Sequence, residues 1–445
     1  MLINRLNFFN SETLVNMIKN YIHGFLSIGL FIVICYLFLH LAINHPIAYI
    51  WATYEDLLGE WAQFYLFLFA LIFSIRNSIL TSQFRIFFIT LAIACFYVIM
   101  EEISWGQRIF GWGISAFFKN NNLQGETNLH NMLTGPYTTV LKQSLEYMLA
   151  IGLSGYGLVY PLAIKYKWNF ALWLETKGIP APPIYVAPFF VAAAYLELGL
   201  LSFNEAEVAE VFVGLGLSLM ALHYLHFSEA EISNQNRNDI VKNESIALSF
   251  RILNEVFMVI VLSVATTFSM YATHDGKRRA DNRIENGLEK FSGRYKNYEN
   301  WKMVAFLNKK RLEKSPSSRW VLRNLGEAYQ KMDNPELANK FLDKAIEIDL
   351  KKLQKQPLRA STNRSLVRTY RIIGDTVNSN KYLSQALEIG LSRIKKHPDS
   401  ANALYSLGKT YILKGDIEKA RPLFFKAYTI EPTDKAFRKK YYRYL

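Results

Sequence analysis

Seven stretches of this chain are almost free of charge and about as long as a lipid bilayer is thick. They cover residues 21–43, 62–80, 84–101, 144–164, 184–202, 208–227 and 252–272. A hydrocarbon core of about 30 Å takes roughly 20 apolar residues as a helix. Such a chain is expected to be all-α in this part, a bundle of about seven transmembrane helices. The fifth stretch is interrupted by Pro188 and Glu197, which blurs its ends. The N-terminal residues do not read as a cleavable signal, because the first apolar run is too long and no small-residue cleavage site follows it. Residues 8–19 read instead as a short interfacial helix leading into a retained span.

The composition changes sharply further on. Residues 1–279 hold 16 Lys and Arg against 19 Asp and Glu, whereas residues 280–445 hold 35 against 18. The expected organisation is an interfacial segment at 1–20, a polytopic domain at 21–275 and a soluble basic domain at 276–445. Both cysteines, Cys35 and Cys95, lie in apolar runs, so the basic domain has no disulfide framework or thiolate metal cluster. There is no phosphate-binding Gly-rich loop, no Gly-x-Ser-x-Gly elbow and no Cys-x-x-Cys pair.

Cationic residues stay preferentially on the cytoplasmic side of a membrane. With the N-terminus inside, ten Lys and Arg flank the spans on the inner side. Only Arg108, Lys119 and Lys142 lie outside before the last span. Seven spans then put the C-terminal domain outside, in the periplasm of a bacterial inner-membrane protein. The basic stretch HDGKRRADNR directly after the last span runs against this assignment, although long domains cross regardless of charge.

The basic half repeats. Leu325-Gly326, Tyr329, Ala338, Leu342 and Ala345 recur at identical spacing as Leu407-Gly408, Tyr411, Ala420, Phe424 and Ala427, and a degenerate copy has Leu366-Val367, Tyr370, Leu383 and Ala386. These residues interlock two antiparallel helices. Over about 120 residues the pattern resembles tetratricopeptide-repeat (TPR) proteins, which implies an α-solenoid with a concave face that binds protein. The offset is 41 residues rather than the usual 34, so lengthened second helices are expected. Residues 283–314 read as a preceding helical pair, and 434–445 as a capping helix. Tyr329, Tyr370 and Tyr411 of the repeat framework, with Arg323 and Arg368, are the candidate partner-binding residues. A rigid spacer is the plainer reading. The excess of cations suits an acidic partner or anionic lipid headgroups. Nucleic acid is not an expected partner of a domain outside the cytoplasm.

Polar residues crowd the outer end of the third span in EEISWGQRIFGW (101–112), followed by NNNLQGETNLHNMLTGPY (120–137). On a continuing helix Glu101, Ser104, Trp105 and Arg108 share a face. In the functional reading Glu101, Glu102, Glu126 and His130 form an acid–base or metal site, with His130 and Glu102 as ligands and a divalent metal as cofactor. In the structural reading Arg108, Gln107, Asn128, Asn131 and Glu197 form a polar network that satisfies the carboxylates. Residues 101–131 resemble a group of uncharacterised bacterial polytopic membrane proteins, a likeness that implies no activity. His223 and His226, with Glu229 following, have a metal-like spacing but also fit ordinary interfacial residues.

Two functional expectations follow. The first is a membrane-anchored scaffold or accessory subunit whose extracytoplasmic TPR domain binds envelope proteins. The second is a membrane-embedded metal-dependent hydrolase or transferase acting on lipid or glycan at the outer face.

Overall fold

The computed structural model describes residues 11–115, 117, 118, 127, 140–233 and 240–444, and every regular element among them is helical. The chain divides into two compact units, Met1–Gly287 and Leu288–Leu445.

In the first unit, α1 (Ser11–Asn44) is a single helix. Nothing between Ser11 and His23 is a proline or glycine that would stop helix propagation. It is followed by α2 (Pro46–Thr53), α3 (Leu58–Leu80) and α4 (Arg85–Glu102). Next, α5 (Val140–Ser154) passes through a widened π-turn at Gly155–Val159 into α6 (Tyr160–Lys165). Then come α7 (Asn169–Thr176), α8 (Ala187–Glu197), α9 (Glu205–Ser233) and α10 (Ile240–Ala272). Five helices among the described residues are long and apolar enough to cross a membrane, and the helix ending at Glu197 is apolar but shorter.

The central helix is α9, with 72% of its apolar window buried against 6% for α1. Phe189, Phe190, Phe212, Leu215 and Leu219 form its core with α8. Phe190 fits because two glycines flank it. A Cβ on Gly157 would sit 2.2 Å from the Phe190 Cβ, and one on Gly216 would sit 2.9 Å from its Cζ. The outer surface of this unit is apolar too: Ile32, Ile79, Ile86, Ile93, Ile151 and Phe257 are each more than half exposed.

Ionic contacts mark the two ends of the bundle. At one end, Glu229 pairs with Arg76 and, at 2.7 Å, with Arg251. At the other, the Tyr49 hydroxyl donates to Phe203 O (2.8 Å) and Asn204 Nδ2 donates to Thr53 O (3.0 Å). Here α11 (His274–Asn297) begins, and Arg279 and Arg283 lie 3.5 and 3.3 Å from the Asp56 carboxylate. Arg283 also pairs with Glu55. Two cations at the start of α11 are thus met by the acidic loop between α2 and α3.

The second unit begins within α11 and continues through α12 (Trp301–Lys314) into three helical pairs. These are α13 (Arg319–Lys331) with α14 (Pro335–Lys355), α15 (Ala360–Ile373) with α16 (Thr376–Lys396), and α17 (Ala401–Lys414) with α18 (Ile417–Ile430). The second helices of the first two pairs have 21 residues each against 13 and 14 for their partners, as the 41-residue offset requires. The repeat extends to the turn chemistry. Asn334, Asp375 and Asp416 each accept the amide three residues on, at 3.1, 2.9 and 3.1 Å, capping the second helix. The residue before each cap has positive φ: Asp333 (54°), Gly374 (85°) and Gly415 (94°). The interlocking residues lie where the spacing puts them, with Leu325, Ala345, Leu366, Ala386, Ala420 and Phe424 all at most 1% exposed. The capping helix α19 (Lys435–Tyr444) closes the array by burying Phe437 on Ala401, Leu404 and Ala427.

Candidate functional site

In a stack of helical pairs the first helices line up along one side. Their side chains, with those of α11, line a groove of about 1010 Å³ in the second unit. Six cations face it: Lys290, Arg294 and Lys296 from α11, Arg323 from α13, and Arg368 and Arg371 from α15. Only two carboxylates do, and both are already engaged. Glu327 pairs with Lys296 at 2.5 Å, and Glu289 with Arg311 at 2.7 Å. Arg311 in turn lies over the Trp320 ring, 4.5 Å from its centroid. Among the described residues Arg323, Arg368 and Arg371 pair with no carboxylate.

Arg323 also belongs to a register that runs between repeats. Arg323 donates to Ser365 Oγ at 3.3 Å. One repeat later Arg364 donates to Ser406 O (3.0 Å), Ser406 Oγ (3.1 Å) and Thr410 Oγ1 (3.0 Å). Each arginine thus clamps its own first helix to the next. Burial among helices and other cations is unfavourable for their charge. Burial, then the nearby Arg368, brings Arg323 down to about 10, and the same two causes bring Arg364 to about 10. Burial and the cations Arg364, Lys440 and Arg368 bring Lys409 to about 8. An arriving anion would relieve this repulsion.

Of the residues expected to contact a partner, Arg323 and Arg368 line the groove, whereas Tyr329, Tyr370 and Tyr411 do not. Tyr329 stacks on Phe341 at 5.7 Å and Tyr370 on Tyr382 at 5.7 Å, each across its own helical pair. Tyr411 lies under Lys419 Nζ, 6.0 Å from the ring centre. Large rings at these spacings fill the space between two helices, so they build the framework and leave the groove to other residues. Arg371 in the groove and Arg364 in the contacts between repeats are the residues that motif reading passed over. The signal for Arg364 was the 41-residue offset from Arg323.

Residues 323–352 and 358–431 match family models of the tetratricopeptide repeat. The C-terminal region carries TPR repeats. Repeats of this kind are protein-interaction modules. A search of curated proteins gives no match. The matched residues all lie in the C-terminal region, so the likeness of residues 101–131 to bacterial membrane proteins gains no support from them.

The polar crowding of the first unit takes a different form from the expected helical face. Helix α4 ends at Glu102, and Ser104, Trp105 and Gly106 adopt left-handed backbone with φ of 48°, 53° and 86°. Left-handed residues cannot continue a right-handed helix, so the shared face of Glu101, Ser104, Trp105 and Arg108 does not form. Gly106 is required here, since a Cβ would meet the Trp112 ring at 2.8 Å. Trp105 folds back so that its Nε1–H donates to Glu101 Oε1 at 2.6 Å. Glu102 faces inward to α3, where Gln63 Nε2 bridges it (3.0 Å) to Glu210 of α9 (2.6 Å). The charged neighbours of Glu210 are Glu197, Glu60 and Glu55. Glu205 closes the turn before α9 by accepting the amides of Ser202 (2.5 Å) and Phe203 (2.6 Å).

Glu102 and Glu210 are thus joined by a glutamine that sequence reading missed because it lies 39 positions from Glu102. Gln107 accepts the Thr127 amide at 2.9 Å. Glu126, Asn128, His130, Asn131 and the Arg108 side chain lie outside the described residues. Among the described residues no group of three His, Cys, Asp or Glu side chains is arranged to hold a metal.

Proposed function

We propose that this chain is a membrane-anchored scaffold whose TPR groove holds an acidic segment of a protein partner. The observation that carries this reading is the imbalance inside the groove: six cations, two carboxylates already in ion pairs, and three arginines with no carboxylate partner among the described residues. Charge-assisted bonds from guanidinium to carboxylate are roughly twice as strong as neutral ones, and arginine binds carboxylate in a two-pronged fashion. A partner rich in Asp and Glu supplies what the groove lacks.

Anchoring rests on the five long apolar helices and on the exposed isoleucines of the first unit, an exterior suited to lipid rather than water. Placement in a bacterial inner membrane, with the N-terminus cytoplasmic and the TPR domain periplasmic, rests on the distribution of Lys and Arg between the segments. Envelope proteins are then the partners within reach. The hydrolase reading draws nothing from Glu102, whose carboxylate is held by Gln63.

The test reverses charge at two exposed groove positions, Arg368→Glu with Arg371→Glu, in the full-length protein. Capture of partner proteins from solubilised membranes should fall at least tenfold while the repeats stay folded. Undiminished capture, or binding to anionic vesicles with no protein captured, overturns the proposal. Cysteine labelling near the C-terminus from each side of the membrane tests the orientation separately.

A further inference from the structure

The buried face of α10 carries a row of polar residues through the first unit: Ser245, Ser249, Glu255, Ser263 and Thr267, each at most 8% exposed. Three of them satisfy themselves on their own helix. Ser249 donates to Ser245 O (2.9 Å), Ser263 to Val259 O (2.6 Å) and Thr267 to Ser263 O (2.7 Å). Glu255 has no such recourse. It is 4% exposed, and among the described residues neither carboxylate oxygen accepts a hydrogen bond. The polar groups that act on it are Ser218 of α9 and Tyr185, from the turn before α8. No cation does so among the described residues.

An ionised carboxylate in such surroundings is costly without a counter-charge, and an intramembrane carboxyl is retained chiefly where it does chemical work. A chain of protonatable groups leads away from it. The Tyr185 hydroxyl is 3.0 Å from His223 Nδ1. The His23 ring lies 5.1 Å from the Tyr185 ring and 6.5 Å from that of His223. His23 Nδ1 is 2.7 Å from Ser245 Oγ, and His226 Nε2 is 2.7 Å from the Glu244 carboxylate. One turn beyond His226 is Glu229, whose pairing with Arg76 and Arg251 marks that end of the bundle. Glu255 lies ten residues along α10 from Ser245, about 15 Å deeper.

We propose that Glu255 is a proton-carrying carboxyl loaded from the His23–His226 end of the bundle through His223 and Tyr185. In the uptake step one proton passes along the hydrogen-bonded His223 and Tyr185 and is carried by water over the gap beyond Tyr185 to a Glu255 carboxylate oxygen, which accepts no hydrogen bond from a protein group among the described residues. The imidazole is recharged at its other ring nitrogen from the His23–His226 end. The net change is one proton moved from water to a carboxylate oxygen, with no electron transferred. The membrane reading enters only in naming the compartment from which the proton comes, since the burial of Glu255 stands without it.

The experiment is infrared difference spectroscopy of the full-length protein in lipid nanodiscs between acid and alkaline pH, with the kinetics followed after a pH jump. A protonated-carboxyl band that shifts in deuterium oxide should vanish in Glu255→Gln and persist in Glu210→Gln. In Glu255→Asp, which keeps the carboxyl should the glutamine variant fold poorly, the band should move rather than vanish. His223→Phe and Tyr185→Phe should each slow its appearance at least tenfold. A band unchanged in Glu255→Gln, one governed by sodium concentration instead of pH, or loading rates unaltered in both relay variants would each overturn the proposal. Recovery of the protein in the soluble fraction would refute membrane anchoring and leave the spectral assay of Glu255 standing.

Discussion

The tightest contact of the repeat array makes its packing measurable by a double-mutant cycle. A Cβ added at Gly326 would lie 2.4 Å from Leu342 Cγ, 2.6 Å from its Cδ2 and 3.2 Å from Ala338 O. Carbon atoms in contact prefer about 3.5–4.0 Å. Gly326→Ala therefore forces α13 and α14 apart by more than an ångström or drives Leu342 off its rotamer, a cost of about 2–3 kcal/mol. Leu342 is 1% exposed, and Leu342→Ala leaves a cavity costing about 3 kcal/mol. The double variant relieves the clash and part of the cavity together, because the new methyl enters the space the leucine vacates. Its total should be about 3–4 kcal/mol rather than the 5–6 of two independent changes, giving a coupling of about 2 kcal/mol. Hydrogen exchange of α13 and α14 amides in the full-length protein reads these energies locally. Strictly additive costs would show that the two residues do not touch, and the proposed interlocking would fail with them. The third repeat offers a control at Gly408 and Phe424, where a Cβ would lie 2.7 Å from the ring.

Other consequences are simpler to check. Asp333 occupies the left-handed position filled by glycine in the next two repeats, so Asp333→Gly should stabilise the first repeat by about 0.5 kcal/mol, read by exchange at α13. Arg364→Met removes three hydrogen bonds that join the second and third repeats and should loosen α17 by about 1–2 kcal/mol, with α13 unaffected. Lys409 ionises near pH 8 in the folded state, below the usual lysine value of 10.5, so the folded state binds fewer protons between these pH values. Its penalty is full below pH 8, fades as pH rises and is gone above 10.5. Lys409→Gln should accordingly stabilise the repeats at pH 7 by on the order of 1 kcal/mol and have no effect at the alkaline limit.

Much of the fold was legible because it is periodic. The small and large residues of the repeat recur at one offset, and that offset alone implied the 21-residue second helices. The caps at Asn334, Asp375 and Asp416 obey the same offset and could have been read from it. The apolar stretches of the first half gave helices at closely similar positions. What escaped was local or long-range. A left-handed Ser104 and Trp105 leave no mark in sequence, since non-glycine residues enter that region only when their surroundings hold them there. The Glu102–Gln63–Glu210 bridge joins three helices, and nothing within any one of them announces it. The framework tyrosines misled because aromatic rings serve both cores and binding faces. Arg368 was easier to place, since an exposed long cation on a helical array faces outward, whereas Arg323 lines the groove although it is only 7% exposed.

The central claim is that the cationic groove is where the partner lies. A photoreactive amino acid placed at Asn324, on the groove wall, and separately at Lys340, outside it, tests this in the full-length protein in its native membrane. The account predicts cross-links from position 324 to an acidic protein, weakened by raised salt and lost in Arg368→Glu with Arg371→Glu, and none of that protein from position 340. Equal cross-linking from both positions, or cross-links from position 324 that persist through high salt and charge reversal, would contradict it.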